Sequence, residues 1–233
     1  MHKTPTVKVK VMTDDHALKF TNEVFSLIKN SKSISDLENI PGKFGKLAMK
    51  GISIEDYPKI EFSISISEIQ SLLENELIDR DLKLAKNISS KINDPLSKLL
   101  YAIVWKNGDL KKIRHIIKGI LNSESENDDQ EEALVFYQFG KYLTKIPGQP
   151  IIDQHVIRAF AVYNSKDISR MKSLRQIQKL DKDHNDFIKW YKEWLVSDAL
   201  TTELRRETDY SYHIDKLLFA TGKTIKTQVK KKS

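Results

Sequence analysis

Residues 150–160, which read PIIDQHVIRAF, decide the fold. The proline favours extended backbone in the residue before it. Asp153 follows where a helix would need an N-cap, the residue whose side chain accepts the amide protons of the first turn. The apolar residues beyond it recur at helical spacing: Val156, Ala159, Phe160 and Tyr163. The segment therefore predicts a helix that begins at Asp153 and buries one face.

The same spacing recurs along the chain and predicts a mainly α fold of about nine or ten helices. Apolar stripes lie within residues 20–28, 69–77, 96–103, 113–121, 187–195 and 210–218. Ser67 and Gln70 have the spacing of a capping box, and Asp94 followed by Pro95 is typical of a helix start. Each stripe is expected to be one buried helix face.

Two short segments instead alternate apolar and polar residues, which is typical of half-exposed strands. They are residues 6–11 and 59–66, and they predict a minor two-stranded β element near the N-terminus. We expect three parts: an N-terminal segment with short strands and helices (1–66), a helical domain (67–221) and a lysine-rich tail (222–233).

Charge and cysteine content limit the classes of function. The formal net charge of +7 has two sources near the ends, three lysines in residues 1–12 and five in residues 222–233, so residues 13–221 are nearly balanced. Such tails can contact phosphate but are also common solubilising ends. The chain has no cysteine, which excludes thiolate chemistry and suits a reducing compartment. No apolar run approaches the roughly 20 residues that span a bilayer, so we expect a cytoplasmic protein without a membrane partner.

The segment around Asp153 resembles the start of the helix that follows the hairpin in the helix-hairpin-helix DNA glycosylases, the superfamily of the oxoguanine glycosylases. There a proline, an apolar residue, an Asp and often a His begin a helix. The resemblance implies a multi-helix glycosylase-like fold in which Asp153 is the catalytic carboxylate. Lys141 is the one lysine at a helix turn before it and would be the candidate nucleophile. The hairpin expected just before the Asp is missing, as in a divergent bacterial branch of the fold.

A second fragment, IPGKFGKLA at residues 40–48, is similar to the hairpin turn itself. Glycines in such turns present backbone amides to a phosphate. Gly42, Gly45 and Lys46 are therefore candidate nucleic-acid contacts, and the resemblance adds His155 and Arg158. An ordinary Pro-Gly loop is the alternative for this turn, and a plain helix cap is the alternative for Asp153.

Two hypotheses follow. In the first, the chain is a DNA-binding protein of glycosylase-like fold, a divergent or inactive base-excision glycosylase that takes duplex DNA as its partner and, if active, flips a damaged base. In the second, it is a non-catalytic helical module that binds a protein or a nucleic acid. No metal or cofactor is expected, because the six histidines are scattered and no phosphate-binding or dinucleotide-binding glycine motif occurs.

Overall fold

The computed structural model describes residues 12–45, 49, 52–53, 57–125, 132–165 and 167–227. Over these residues the chain is mainly helical, with twelve α-helices and no strand. The helices are α1 (Asp14–Asn30), α2 (Ile34–Glu38), α3 (Ile66–Glu74), α4 (Ile88–Lys91), α5 (Pro95–Lys106), α6 (Ile113–Leu121), α7 (Leu134–Leu143), α8 (Gln154–Asn164), α9 (Met171–Arg175), α10 (Asn185–Val196), α11 (Thr202–Arg205) and α12 (Tyr210–Ile225). Among the described helices, none combines the length and the apolar character that crossing a membrane requires.

Local hydrogen bonds set several of the helix starts. Asp153 caps α8, and Asp94 caps α5 by accepting a hydrogen bond of 2.8 Å from the amide of Ser97, as predicted. The capping box of α3 lies two residues earlier than predicted, at Ser65 and Glu68. The Glu68 carboxylate accepts a 2.7 Å hydrogen bond from the Ser65 amide. A charged acceptor makes a stronger bond than the neutral amide of a glutamine, which favours the earlier position.

The strand predicted at residues 59–66 is wrong, because residues 59–65 pair with no strand and Ile66 already begins α3. The chain is instead held by single bonds, such as the 2.9 Å bond from the Ile64 amide to the carbonyl of Leu143. Phe62, predicted to lie on the buried face, is 62% exposed. Ile64 and Ile66 pack against the apolar cluster that contains Ile69 of α3, but no second strand lies beside the segment among the described residues, and a single strand is not stable without one. The other predicted strand, residues 6–11, lies outside the described residues.

The main core surrounds α8, in which every residue from position 156 to 162 is buried. Helices α1, α9, α10 and α12 pack around it. On its α1 side the ring of Phe25 stacks on that of Tyr163 with centroids 3.8 Å apart. Trp194 of α10 meets the same Phe25 ring edge-on at 5.2 Å. Helix α1 therefore shares one core with the helices of the C-terminal half.

A second, smaller apolar cluster joins Ile69 of α3 to Ile117 and Ile120 of α6. It meets the rest of the molecule where α6 crosses α7 at two glycines. A Cβ atom on Gly119 would lie 2.0 Å from the carbonyl oxygen of Tyr137, and one on Gly140 would lie 2.0 Å from the carbonyl oxygen of Ile116. The two backbones are thus in direct contact, and only glycine fits on either side.

Gly119→Ala should destabilise the protein because the added methyl group meets backbone rather than a movable side chain. We expect the free energy of unfolding to fall by about 1–3 kcal/mol, the usual cost of overpacking. Urea denaturation measures it. Gly42→Ala is the matched control, because a Cβ atom there meets nothing within 4 Å. Equal stability of the two variants would contradict the close helix crossing.

Candidate functional site

The start of α8 is built around the Asp153 carboxylate. Its Oδ1 accepts hydrogen bonds from the amides of His155, at 2.6 Å, and Val156, at 2.8 Å. Ile152, just before it, is buried and anchors the chain in the main core. Burial raises the pKa of Asp153, while the two amide hydrogen bonds and Arg158 act in the opposite direction. The residue is therefore a helix cap by geometry, with a carboxyl group that the site makes easier to protonate.

Asp153 also lines a pocket of about 290 Å³. The rest of the wall comes from the first turn of α7 (residues 134–136) with Ala133, from Gln154, and from residues 178–180. Asp153 is half-buried, whereas Gln178 and Lys179 are exposed at the rim. The pocket thus gives one carboxylate access to solvent beside the starts of two helices.

Arg158, on the same helix as the Asp153 cap, is fully buried. Its guanidinium donates to the carbonyl oxygen of Gly222 at 2.9 Å and to that of Ile177. Burial lowers its pKa to about 10, so it remains charged at neutral pH. Because Arg158 is buried, it presents no exposed surface to a phosphate in this structure, as the predicted contact would require. The side chain instead joins α8 to α12 and to the segment after α9.

His155 is half-buried between Arg158 and α12. Its Nδ1 lies 2.6 Å from a guanidinium nitrogen of Arg158 and accepts a hydrogen bond, because the guanidinium can only donate. The ring meets Phe219 edge-on at 5.0 Å. Burial, followed by the charge of Arg158, lowers the pKa of His155 to about 4. His155 is consequently neutral at physiological pH and supplies no positive charge to a nucleic-acid backbone.

A buried acid that the sequence reasoning missed lies close to Asp153. Asp215 of α12 is fully buried. One of its oxygens is 2.5 Å from the hydroxyl of Tyr191, and the other accepts a 2.7 Å bond from the amide of Ile151. Burial raises the pKa of Asp215 well above its usual value, and the charge of Asp153 adds to the rise. Asp215 therefore fixes the chain that leads into Asp153. Nothing in the sequence around it marks this role, since it lies on a helix with ordinary spacing.

Lys141 is also inside the protein, with 1% of its surface exposed. Its Nζ donates to the carbonyl oxygen of Ser125 at 2.8 Å and lies 5.4 Å from the centre of the Tyr137 ring. The described lining of the pocket takes residues from the first turn of α7, whereas Lys141 lies farther along that helix. The structure thus gives Lys141 a place in the packing and does not bring it into the pocket with Asp153.

The turn that resembles a hairpin forms a short 3-10 turn over Pro41–Phe44. Gly42 and Gly45 are exposed, and Gly45 has a φ of +52°, a conformation that glycine adopts without strain. Phe44 holds the turn to α1 by an edge-on contact of 4.9 Å with Phe20. Lys46 lies outside the described residues. These glycines do not line the Asp153 pocket, so the candidate phosphate contacts are not part of one site with the acid.

The largest departure from the sequence prediction is at α5, where no residue is buried. Its apolar stripe was expected to face a core. The large apolar side chains of the helix are instead between 54% and 65% exposed, and we call the first four of them the α5 surface: Leu96, Leu99, Leu100, Ile103 and Trp105. The first four share one side of the helix, and Trp105 lies on the other. Contiguous exposed apolar side chains of this kind mark interaction sites.

The buried histidine predicts a pH dependence of stability. A pKa that falls from 6.5 to about 4 on folding stabilises the protein above pH 6.5, and this contribution is lost as the pH falls through about 4. His155→Gln should therefore lose less stability than the wild type between these pH values. Asp153 and Asp215 respond in the opposite sense, since their pKa values rise on folding.

Urea denaturation at each pH gives the free energy of unfolding of His155→Gln and of the wild type. The contributions of the two acids are present in both proteins and cancel in the difference. His16→Gln is the control, because His16 is exposed on the first turn of α1. Parallel curves for all three proteins would show that His155 titrates normally.

Comparison of the chain with protein-family models, with curated proteins and with solved structures found no match.

Proposed function

We propose that this protein is a helical interaction protein that binds a partner through the α5 surface. The observation that carries the proposal is the exposure of four large apolar side chains on one side of a single helix. Burial of apolar surface contributes about 25 cal/mol per Å². Covering several half-exposed leucine and isoleucine side chains therefore supplies binding free energy of several kcal/mol before the costs of association.

The ends of α5 support this interpretation. Asp94 caps its start, Pro95 occupies its first turn, and Gly108 follows its end with a φ of +72°. Local signals therefore define the helix without help from a buried face. A helix of 12 residues is marginal by itself in water, since most helical stability comes from packing. A partner that covers the α5 surface would provide the missing packing.

If the α5 surface is a docking face, its side chains can be shortened without loss of stability. Leu99→Ala and Leu100→Ala should each change the free energy of unfolding by no more than about 0.5 kcal/mol. Ile117→Ala and Ile120→Ala of α6 are the matched controls, because both side chains are at most 3% exposed. Each control should cost about 2–5 kcal/mol. A loss of that size at Leu99 would mean that α5 packs against its own chain, and the proposal would fail.

Binding itself is tested in cells with a photo-crosslinking amino acid in place of Leu99. We expect one discrete crosslinked species, lost when Leu96→Glu and Ile103→Glu are added to the same chain. The same crosslinker in place of Glu23, an exposed residue of α1, controls for random proximity. Identical patterns from positions 99 and 23 would contradict a dedicated docking face.

A second candidate function, DNA binding with glycosylase-like chemistry, has one supporting observation. Asp153 lines an open pocket and has a carboxyl group whose pKa burial raises. In its ionised form this carboxylate could stabilise the sugar cation that forms as a base leaves, although burial acts against that form. The burial of Lys141 and Arg158 gives no support for the rest of the predicted constellation.

Asp153→Asn tests this candidate cleanly, because asparagine caps a helix about as well as aspartate and leaves the fold intact. If the candidate is correct, the wild type binds duplex DNA that contains an abasic-site analogue, and binding weakens as salt rises. Release of a damaged base would be lost in Asp153→Asn while DNA binding remains. Absence of salt-sensitive binding in the wild type would remove this candidate.

A further inference from the structure

We infer that the partner of the α5 surface is an acidic amphipathic helix of another protein. This inference rests on the proposed function and adds the chemistry of the partner. Two features carry it: the distribution of charge around α5, and the geometry of its apolar side chains.

The charge of the chain is concentrated around α5 as well as in the tails. Residues 82–122 contain nine basic and two acidic side chains, a net charge of +7 that equals that of the whole chain. The near balance of residues 13–221 thus combines a basic segment with an acidic remainder. A basic segment around an apolar face selects a partner that combines apolar and acidic groups.

Several of these bases are available to a partner. Five are exposed and have no ion-pair partner among the residues that the structure describes: Lys86, Lys98, Lys106, Lys111 and Lys118. Others are already engaged, such as Lys112 with Asp109 and Arg114 with Glu132. The exposed lysines of α5 and α6 therefore give this segment positive charge that no ion pair among the described residues neutralises.

The apolar geometry favours a helix as the occupant. Leu96, Leu99, Leu100 and Ile103 follow the i, i+3, i+4, i+7 spacing and form one ridge. The ridge extends along most of α5, which is roughly 18 Å long at 1.5 Å per residue. Ridges of this kind pack into the grooves of another helix. A partner helix with an apolar stripe and acidic flanks would cover the ridge and lie near the lysines.

Other occupants fit less well. A second copy would bring two segments of charge +7 together, and like charges across an interface cost several kcal/mol. A nucleic acid would pair with the lysines but would leave the leucine side chains uncovered, because its backbone offers phosphate rather than apolar surface. An acidic amphipathic helix would cover the apolar ridge and also pair with the lysines around it.

The test uses three labelled synthetic peptides and fluorescence anisotropy with the full chain. The first is helical, with leucine at i, i+3, i+4 and i+7 and glutamate on its flanks. The second has lysine in place of the glutamates, and the third has the composition of the first in scrambled order. We expect the first to bind at least about tenfold more tightly than the others, a difference of about 1.4 kcal/mol. Its affinity should fall as salt rises.

Two sets of variants separate the apolar and the electrostatic contributions. Leu99→Glu with Leu100→Glu should abolish binding of the acidic peptide. Lys106→Glu, at the flank of the ridge, should weaken it and strengthen binding of the lysine peptide, whereas Lys98→Glu, on the side of Trp105, should have a smaller effect. Lys19→Glu on α1, an exposed residue outside the segment, should leave both affinities unchanged.

The alternatives are tested in parallel with duplex DNA, with vesicles of phosphatidylcholine and phosphatidylserine, and by the oligomeric state of the chain alone. Binding of DNA or vesicles that is tighter than the acidic peptide and depends on Leu99 would overturn the inference. So would a dimer that Leu99→Glu dissolves, or failure of the acidic peptide to bind. If the acidic and the lysine peptide bind with equal affinity and both require Leu99, the acidic character of the partner is overturned but the docking face is not. Absence of any position-99 crosslink in the otherwise unchanged chain would remove the proposed function itself.

Discussion

The fold depends on the contact between α8 and α12. Gly222 of α12 lies against the backbone of α8 so closely that a Cβ atom there would be 2.0 Å from the carbonyl oxygen of His155. The Gly222 carbonyl in turn accepts a hydrogen bond from the buried guanidinium of Arg158. A buried charge is tolerated only when its donors find acceptors, so Arg158 requires these backbone carbonyls to be where they are. The position of α8, and with it that of Asp153 and the pocket, follows from this contact.

Local features of the fold could be predicted from the sequence, because their causes lie within a few residues. The cap at Asp153 and the start of α5 at Asp94 depend on one carboxylate and on amides two or three residues farther on. The error at Ser67 is also local, because Ser65 and Ser67 both have the spacing of a capping residue. The helix begins after Ser65 because Glu68 is a better hydrogen-bond acceptor than Gln70. The strand predicted at residues 59–66 is wrong because alternation marks one apolar face of a segment but does not supply a second strand for it to pair with.

The candidate site could be predicted only in part for a related reason. Helical spacing predicts burial for apolar residues and exposure for charged ones, yet Arg158, Lys141 and Asp215 are all buried. Their partners are distant in sequence: Asp215 binds the amide of Ile151 across 64 positions, and Arg158 binds Gly222 across 64. No local pattern encodes such a pairing. The capping pattern located the helix start at Asp153 correctly, whereas the roles that the glycosylase resemblance implied for Lys141 and Arg158 need surface that the fold does not give them.

The charged residues above are unexpectedly buried, whereas the apolar residues of α5 are unexpectedly exposed, and this exposure has a thermodynamic consequence. The main core and the smaller cluster around Ile117 bury their own apolar residues without any contribution from α5. The leucines of α5 therefore cost the protein solubility and return no folding stability to it. Exposed apolar side chains of this size also favour aggregation, a liability that the surrounding lysines counter by mutual repulsion. With an acidic partner helix, as we infer, the same lysines would repel a second copy and attract the partner, so one arrangement of charge would both keep the free chain dispersed and select what covers the helix.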